Sequence, residues 1–161
     1  MNMIHILVTA ITGIGIFFLV TGIFYECLCV ISRTVAIVPT KPRNFMLIMI
    51  TGIFVAHILA ITIYALTYWI LVKYAGVTAL AGNIQDSFLV YHYFSATTYT
   101  SLGVGDIFPV GGLRILTAIE ALNGLILITW SAAFTYFGVQ RMWDSHGNAK
   151  FIHSDYKKEN N

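Results

Sequence analysis

Three long stretches without a charged residue limit most strongly how this chain can fold. They run over residues 6–25, 44–72 and 121–140. Each reaches the roughly 20 residues that an α-helix needs to cross a hydrocarbon core. Charged residues make up only 10% of the chain, against about 25% in a typical soluble domain. A soluble enzyme is therefore nearly excluded, and the pattern predicts a single-domain integral membrane protein with three transmembrane helices.

These stretches divide the chain into consecutive segments. We expect one transmembrane helix within residues 1–32, followed by a basic loop over residues 33–43. A second transmembrane helix is expected over residues 44–73 and a third over about residues 112–140. The remaining residues, 141–161, are expected to continue the third helix briefly and then fray as a tail.

The distribution of lysine and arginine predicts the orientation. Most basic residues lie in the first loop and in the tail, which are on the same side after three crossings. Cytoplasmic segments near membrane helices carry an excess of Lys and Arg. We therefore expect the N-terminus outside, the C-terminus in the cytoplasm, and a multi-pass plasma-membrane protein, with the small size favouring a prokaryotic inner membrane. The net charge of +2 is too small to indicate nucleic-acid binding.

The segment between the second and third helices is too polar to cross the membrane and too apolar for a solvated loop. Asp86 or Ser87 can cap a short helix over about residues 87–100, and a glycine-rich stretch, SLGVGD, follows at residues 101–106. Irregular backbone at membrane depth is tolerated where protein buries it or where it lines a water-filled cavity. Alternating glycines allow successive carbonyl groups to point the same way, and a ring of such carbonyls can replace the water around a cation. The segment therefore predicts a re-entrant pore loop.

Residues 93–109, YFSATTYTSLGVGDIFP, resemble the pore helix and selectivity filter of the potassium channel family. The family's Thr-Val-Gly-Tyr-Gly-Asp is here Ser-Leu-Gly-Val-Gly-Asp. The resemblance extends over residues 44–140 and implies a channel pore domain with an outer helix, a pore helix, a filter and an inner helix. The implied fold class is an all-α membrane protein that assembles as a homotetramer, because one loop supplies only a quarter of a filter ring. The preceding helix within residues 1–32 is then an addition to the two-helix plan.

The resemblance also implies which groups hold the ion. K⁺ would be bound by the filter carbonyls, and no other cofactor is expected; the residues concerned are Ser101, Leu102, Gly103, Val104 and Gly105. Residues expected to support the filter are Thr97, Thr98, Thr100, Asp106 and Glu120.

Three departures from the family pattern bear on selectivity. Ser101 replaces the usual threonine but keeps the hydroxyl group. Val104 replaces the usual tyrosine, so it cannot brace the filter through a hydrogen bond. Thr97 stands where some members have a glutamate paired with the filter aspartate, which leaves Asp106 without that partner. A non-selective monovalent cation channel is therefore the alternative to a potassium-selective one.

Glu120 is a charged residue within the third helix. Acidic residues inside the membrane are costly and indicate a function by default. We expect Glu120 to brace the pore helix through Thr97 or Thr98, or to tune the potential near the filter. The alternative is a protonated or hydrogen-bonded packing residue.

Gly124 lies where the family's inner helix often carries a gating glycine, so it is expected to act as a hinge. The alternative is a glycine that permits close helix packing. If Gly124 faces the cavity, helical spacing places Leu125, Ile128 and Ala132 on the pore side, with Tyr136 near the inner mouth. An apolar constriction at these positions could gate the pore by dewetting.

The remaining polar residues point to no catalysis. His57, in the middle of the second helix, is expected to be a hydrogen-bonded structural histidine, with a pH sensor as the alternative. No spacing of histidine, cysteine and acidic residues predicts a transition-metal site. A small membrane enzyme or an accessory subunit is the alternative from another class. The expected partners are the lipid bilayer and three further copies of the chain, and a regulatory partner remains unidentified.

Overall fold

The computed structural model describes residues 3–37, 42–74, 80–82 and 87–159. Four helices and two short strands make up these residues. In chain order they are α1 (Met3–Ile37), α2 (Pro42–Tyr74), β1 (Leu80–Gly82), α3 (Phe88–Tyr99), β2 (Ile107–Pro109) and α4 (Leu113–Glu159).

Three of the helices are long and apolar enough to cross a membrane. The candidate spans are Ile6–Ala36, Arg43–Tyr74 and Leu113–Trp143, with mean hydropathies of 2.4, 2.4 and 1.6. Only a minority of each span is buried inside the subunit, so large apolar side chains face outward. An apolar outer surface of this kind suits a hydrocarbon environment. The predicted all-α membrane fold with three transmembrane helices is confirmed.

The first two helices are longer than predicted. Helix α1 continues through Arg33 to Ile37, so the basic loop predicted over residues 33–43 begins later. Residues 38–41 of that loop lie outside the described residues. Helix α2 begins at Pro42, where the fixed φ of proline and its missing N–H are compatible with a first helical turn.

The prediction of a fraying tail after residue 140 is wrong. Helix α4 continues without a break from Leu113 to Glu159. The sequence after residue 140 contains no proline. Its one glycine, Gly147, costs a helix only about 1 kcal/mol relative to alanine, which is not enough to end it.

The helices pack around one apolar core. Helix α1 contacts both α2 and α4, and the short helix α3 lies against α2 and α4. The most buried large side chains of this core are Val20, Phe24, Met49, Tyr64, Tyr68, Tyr99, Leu113, Leu116 and Leu127. Helix α1 also joins a polar contact, because Thr21 donates to Asn123 (3.2 Å) and Asn123 donates to Tyr64 (2.9 Å). The additional helix is therefore part of the subunit core.

The strands β1 and β2 were not predicted. They pair antiparallel, with Leu80 opposite Pro109, Ala81 opposite Phe108 and Gly82 opposite Ile107. The pair joins the chain ahead of α3 to the chain that follows residue 106. It therefore closes the re-entrant segment on the side where the polypeptide enters and leaves it. Three-residue strands without clear alternation give almost no sequence signal.

Candidate functional site

Helix α3, which the sequence predicts as the pore helix, starts at the predicted place. Ser87 has an extended backbone, and its hydroxyl accepts a hydrogen bond from the Leu89 N–H (3.3 Å). This satisfies one of the free donors at the start of a helix. The other predicted cap, Asp86, lies outside the described residues.

The end of α3 leads directly into the glycine-rich segment. The Thr98 carbonyl accepts from the Ser101 N–H (2.9 Å), and the Thr97 carbonyl accepts from the N–H groups of Leu102 and Gly103 (2.9 and 3.2 Å). The Thr97 hydroxyl donates to the Phe94 carbonyl and that of Thr100 donates to the Ala96 carbonyl. The carbonyl groups of Thr97 and Thr98 thus hold the first residues of the glycine-rich segment against the last turn of α3, whereas Thr100 bonds back to Ala96.

The backbone of the segment alternates in handedness. Ser101, Gly103 and Gly105 have φ values of 57°, 55° and 84°, whereas Leu102 and Val104 between them do not have positive φ. When left-handed and right-handed residues alternate, successive N–H groups converge on one side, which leaves the carbonyl groups on the other. A positive φ is uncommon for residues other than glycine, and it is less favourable for a β-branched threonine than for serine. Serine at position 101 therefore strains this backbone less than threonine would.

The whole segment is exposed on the single subunit. Leu102 and Val104 are 69% and 55% exposed, although both are apolar. A methyl group added at Gly103 would meet no other atom within 4 Å. The described part of the subunit therefore does not cover the segment. The two apolar side chains would be buried only by contact with another molecule.

Asp106 has a partner that the sequence did not indicate. Its Oδ1 accepts from the Tyr93 hydroxyl (3.3 Å) and from the Ile107 N–H (3.0 Å). Thr97 offers no carboxyl group to Asp106, and the Tyr93 hydroxyl, one helical turn earlier, bonds the Asp106 carboxylate instead.

Glu120 contacts the pore helix, but not through the residues expected. Its side chain is completely buried. Oε1 lies 2.5 Å from the Ser95 hydroxyl, and Oε2 accepts from the Tyr68 hydroxyl (2.6 Å). Thr97 and Thr98 are not its partners. The carboxyl group thereby links α4 to α3 and to α2.

A count of hydrogens favours the neutral acid at Glu120. The Ser95 hydroxyl has one hydrogen but lies within bonding distance of two acceptors, Glu120 Oε1 and the Ile61 carbonyl (2.9 Å). Both contacts are satisfied when Glu120 donates to Ser95 and Ser95 donates to Ile61. In the described chain the partners of Glu120 are hydroxyl groups rather than cations, and an unpaired buried charge is expensive.

Gly124 does not face a cavity, contrary to the premise made from the sequence. It is buried, and a methyl group in its place would overlap the carbonyl oxygen of Tyr99. Helix α4 passes through Gly124 without interruption. The residue therefore permits a close approach between α4 and the end of α3, while its role as a hinge remains a prediction.

The other residues predicted to line a cavity are exposed on the subunit. They are Leu125, Ile128, Ala132 and Tyr136. Exposure on α4 leaves them free to line a space between subunits, and this role stays a prediction.

Comparison with known proteins gives one finding of similarity. A family model with the description "ion channel" matches residues 45–138. The matched range includes most of α2, all of α3, the alternating backbone segment and the first part of α4. Searches of curated proteins and of solved structures gave no match.

Proposed function

Because the chain belongs to this ion channel family, as a pore domain of the two-transmembrane potassium-channel type, we propose that it forms a homotetrameric potassium channel. Four copies surround one axis, each contributing residues 101–105. The backbone carbonyl groups and the Ser101 hydroxyl replace the water around dehydrated K⁺ ions, which pass in single file down their electrochemical gradient. No catalytic step and no other cofactor is part of the proposal.

The observation that carries this proposal is the alternating backbone at Ser101, Gly103 and Gly105. This alternation of φ supports an arrangement in which the carbonyl groups point to one side, and it lies on a segment that the described subunit leaves exposed. Neighbouring copies would cover the apolar side chains of Leu102 and Val104. Backbone carbonyl groups at membrane depth need ions, water or protein donors in front of them, and ions and water would supply this in the proposed pore.

Selectivity for K⁺ over Na⁺ depends on how firmly the segment is held. Val104 lacks the hydroxyl of the usual tyrosine, but two other contacts support the same region. Tyr93 holds Asp106 just after the filter, and Glu120 fixes the pore helix through Ser95. We propose that these contacts compensate for Val104. A non-selective cation channel is the outcome expected if they do not.

We further propose that the protein is a multi-pass protein of the plasma membrane, with the N-terminus outside and the C-terminus in the cytoplasm. The three spans support this arrangement, as do the basic residues of the first loop and of the segment after residue 140. The filter then opens toward the outer surface, and α4 leads from it to the cytoplasm.

Two measurements on the purified protein test the proposal. We expect native mass spectrometry in detergent to give the mass of four chains of 17.9 kDa. We expect liposomes containing the protein to carry K⁺ well above the rate of empty liposomes and well above the rate for Na⁺. A stable monomer would contradict the proposed pore, and equal K⁺ and Na⁺ fluxes would favour the non-selective channel.

Tyr93→Phe tests the contact that follows the filter. The change removes the hydroxyl that bonds Asp106 and keeps the ring. A hydrogen bond of this kind is worth about 1 kcal/mol, so we expect about a fivefold faster loss of K⁺ current under sustained activity. Single-channel recording in planar bilayers measures the rate. Tyr74→Phe is the control, because Tyr74 lies at the end of α2 and is exposed; equal rates in the two variants would rule out a role for the Tyr93–Asp106 contact.

A further inference from the structure

A chain of hydrogen bonds through His57 joins three helices of the subunit. His57 Nδ1 lies 2.9 Å from the Tyr99 hydroxyl, and Nε2 lies 3.1 Å from the Ser131 hydroxyl. Ser131 also donates to the Ile128 carbonyl (2.8 Å). The imidazole on α2 thus connects the last residue of the pore helix α3 with the inner helix α4.

The direction of the chain follows from its donors. Ser131 uses its only hydrogen on the Ile128 carbonyl, so its oxygen must accept from His57. Nε2 of His57 therefore carries the hydrogen, and Nδ1 is free to accept from the Tyr99 hydroxyl. The contacts are satisfied together by the neutral imidazole in one tautomer, with hydrogens running from Tyr99 through His57 and Ser131 to Ile128.

The hydrogen-bond chain reaches α3 at Tyr99, close to the start of the glycine-rich segment. Tyr99 is separated from the first filter residue, Ser101, by Thr100 alone. Its backbone carbonyl packs against Gly124, and its hydroxyl bonds His57. Ser131 lies about two turns beyond Gly124 on α4. A movement of α4 would therefore reach Tyr99 both directly at Gly124 and through the imidazole of His57.

We propose that His57 is a positioning residue that couples the inner helix to the end of the pore helix through the hydrogen bonds Tyr99–His57–Ser131. The consequence for conduction rests on the proposed channel function, whereas the hydrogen-bond chain itself does not. The neutral imidazole holds Tyr99 in place. A second proton on His57 would turn Nδ1 into a donor, so the Tyr99 oxygen would have to accept and the Tyr99 hydrogen would lose its acceptor on the imidazole.

In the described segments the groups that face His57 do not titrate in the same pH range, so a response to pH at this place would come from His57 itself. In the described segments α1 presents the Phe24 ring, tilted with its centroid 4.9 Å from the imidazole centroid. Helix α3 presents Tyr99 and α4 presents Ser131. Tyr99 is the one ionisable side chain that bonds the imidazole in these segments, and it remains a neutral phenol far above the range in which histidine titrates. Acidification should therefore weaken the link and lower conduction.

The tautomer can be measured without any ion current. Solid-state NMR of ¹⁵N-histidine protein in lipid bilayers, compared with His57→Gln for assignment, reports which ring nitrogen carries hydrogen. We expect the neutral form of His57 with hydrogen on Nε2, and a change in its Nδ1 signal when Tyr99 is replaced by phenylalanine. Hydrogen on Nδ1, or an Nδ1 signal unaffected by Tyr99→Phe, would overturn the proposal.

The pH profile of conduction tests the coupling. In the native channel we expect K⁺ flux to fall about fivefold as the pH is lowered from about 8 to well below the usual histidine pKa of about 6.5, the change expected from losing one hydrogen bond. The variants His57→Gln and Tyr99→Phe should each flatten this profile. His92→Gln is the matched control, since His92 bonds Thr62 (3.3 Å) and takes no part in the hydrogen bonds Tyr99–His57–Ser131. The pH profile of this control should follow that of the native channel.

Failure of the proposed channel function and failure of the His57 coupling would give different results. A native protein that carries no current at any pH or voltage would count against the channel function, and the NMR result would then decide the hydrogen-bond chain by itself. A conducting protein whose pH profile survives His57→Gln unchanged would overturn the coupling and leave the channel function standing. A purely structural role would lower the thermal stability of His57→Gln without flattening the pH profile.

Discussion

Replacing Gly124 with alanine is expected to destabilise the folded subunit by about 3 kcal/mol, the upper part of the usual range for overpacking a core. The added methyl group would overlap the carbonyl oxygen of Tyr99. That atom belongs to the backbone at the end of α3, so it cannot move aside as a flexible side chain would. The pore helix or α4 must shift, and the filter segment that follows Tyr99 must shift with it.

The expected result is loss of the proposed tetramer, or assembly with a strongly reduced K⁺ flux and a lower unfolding temperature. Gly22→Ala is the matched control, because a methyl group at Gly22 in α1 would meet no atom within 4 Å. We expect this control to assemble and conduct normally. A Gly124→Ala protein with native stability and native flux would show that α4 and α3 do not approach each other so closely.

Glu120 provides the second large effect, and its two variants should differ sharply. Glu120→Leu leaves the Tyr68 hydroxyl without its 2.6 Å acceptor and removes the 2.5 Å contact with Ser95. The Tyr68 hydroxyl keeps its longer contact with Thr117 (3.3 Å), so the cost is the loss of two hydrogen bonds at about 1 kcal/mol each, and we expect a clear fall in unfolding temperature. Glu120→Gln should cost less than about 1 kcal/mol, because a neutral amide can donate to Ser95 and accept from Tyr68.

The comparison of the two variants tests the protonation of Glu120 as well as its contacts. An ionised carboxylate would form charge-assisted hydrogen bonds that glutamine cannot replace. Thermal unfolding of the protein in detergent measures the difference in stability between the two variants. A glutamine variant as unstable as the leucine variant would contradict the neutral acid.

The parts of the fold that could be predicted are those governed by local sequence. Charge-free stretches reveal the three spans, because lipid excludes charge over a known length. The Ser87 cap and the glycine alternation at Gly103 and Gly105 are likewise local patterns, and the positive φ values at both glycines agree with them. These local signals are sufficient to predict the order of the helices and of the glycine-rich segment along the chain.

The contacts between helices could not be predicted, because no pattern in one chain records which faces meet. Glu120 was expected near Thr97 or Thr98, yet it bonds Ser95 and Tyr68, which lie 25 and 52 positions away in sequence. Gly124 was expected to face a cavity, yet it packs on Tyr99. Both errors concern the rotation of α4 about its axis, which is determined by packing.

The strands β1 and β2 were missed for a different reason. Each contains three residues, which is too short for a period-2 pattern to emerge. Their pairing depends on the close approach of Gly82 to Asp106, where a methyl group on Gly82 would overlap the Asp106 carbonyl. A single glycine is the only local sign of this contact.

The reversal potential of a planar bilayer, with K⁺ on one side and Na⁺ on the other, tests the central claim most directly. A filter of carbonyl groups at residues 101–105, held by Tyr93 and Glu120, should discriminate between the two ions despite Val104. We predict a reversal potential close to the K⁺ equilibrium potential. Current that reverses near zero would contradict the potassium-selective channel and would identify a non-selective cation pore instead.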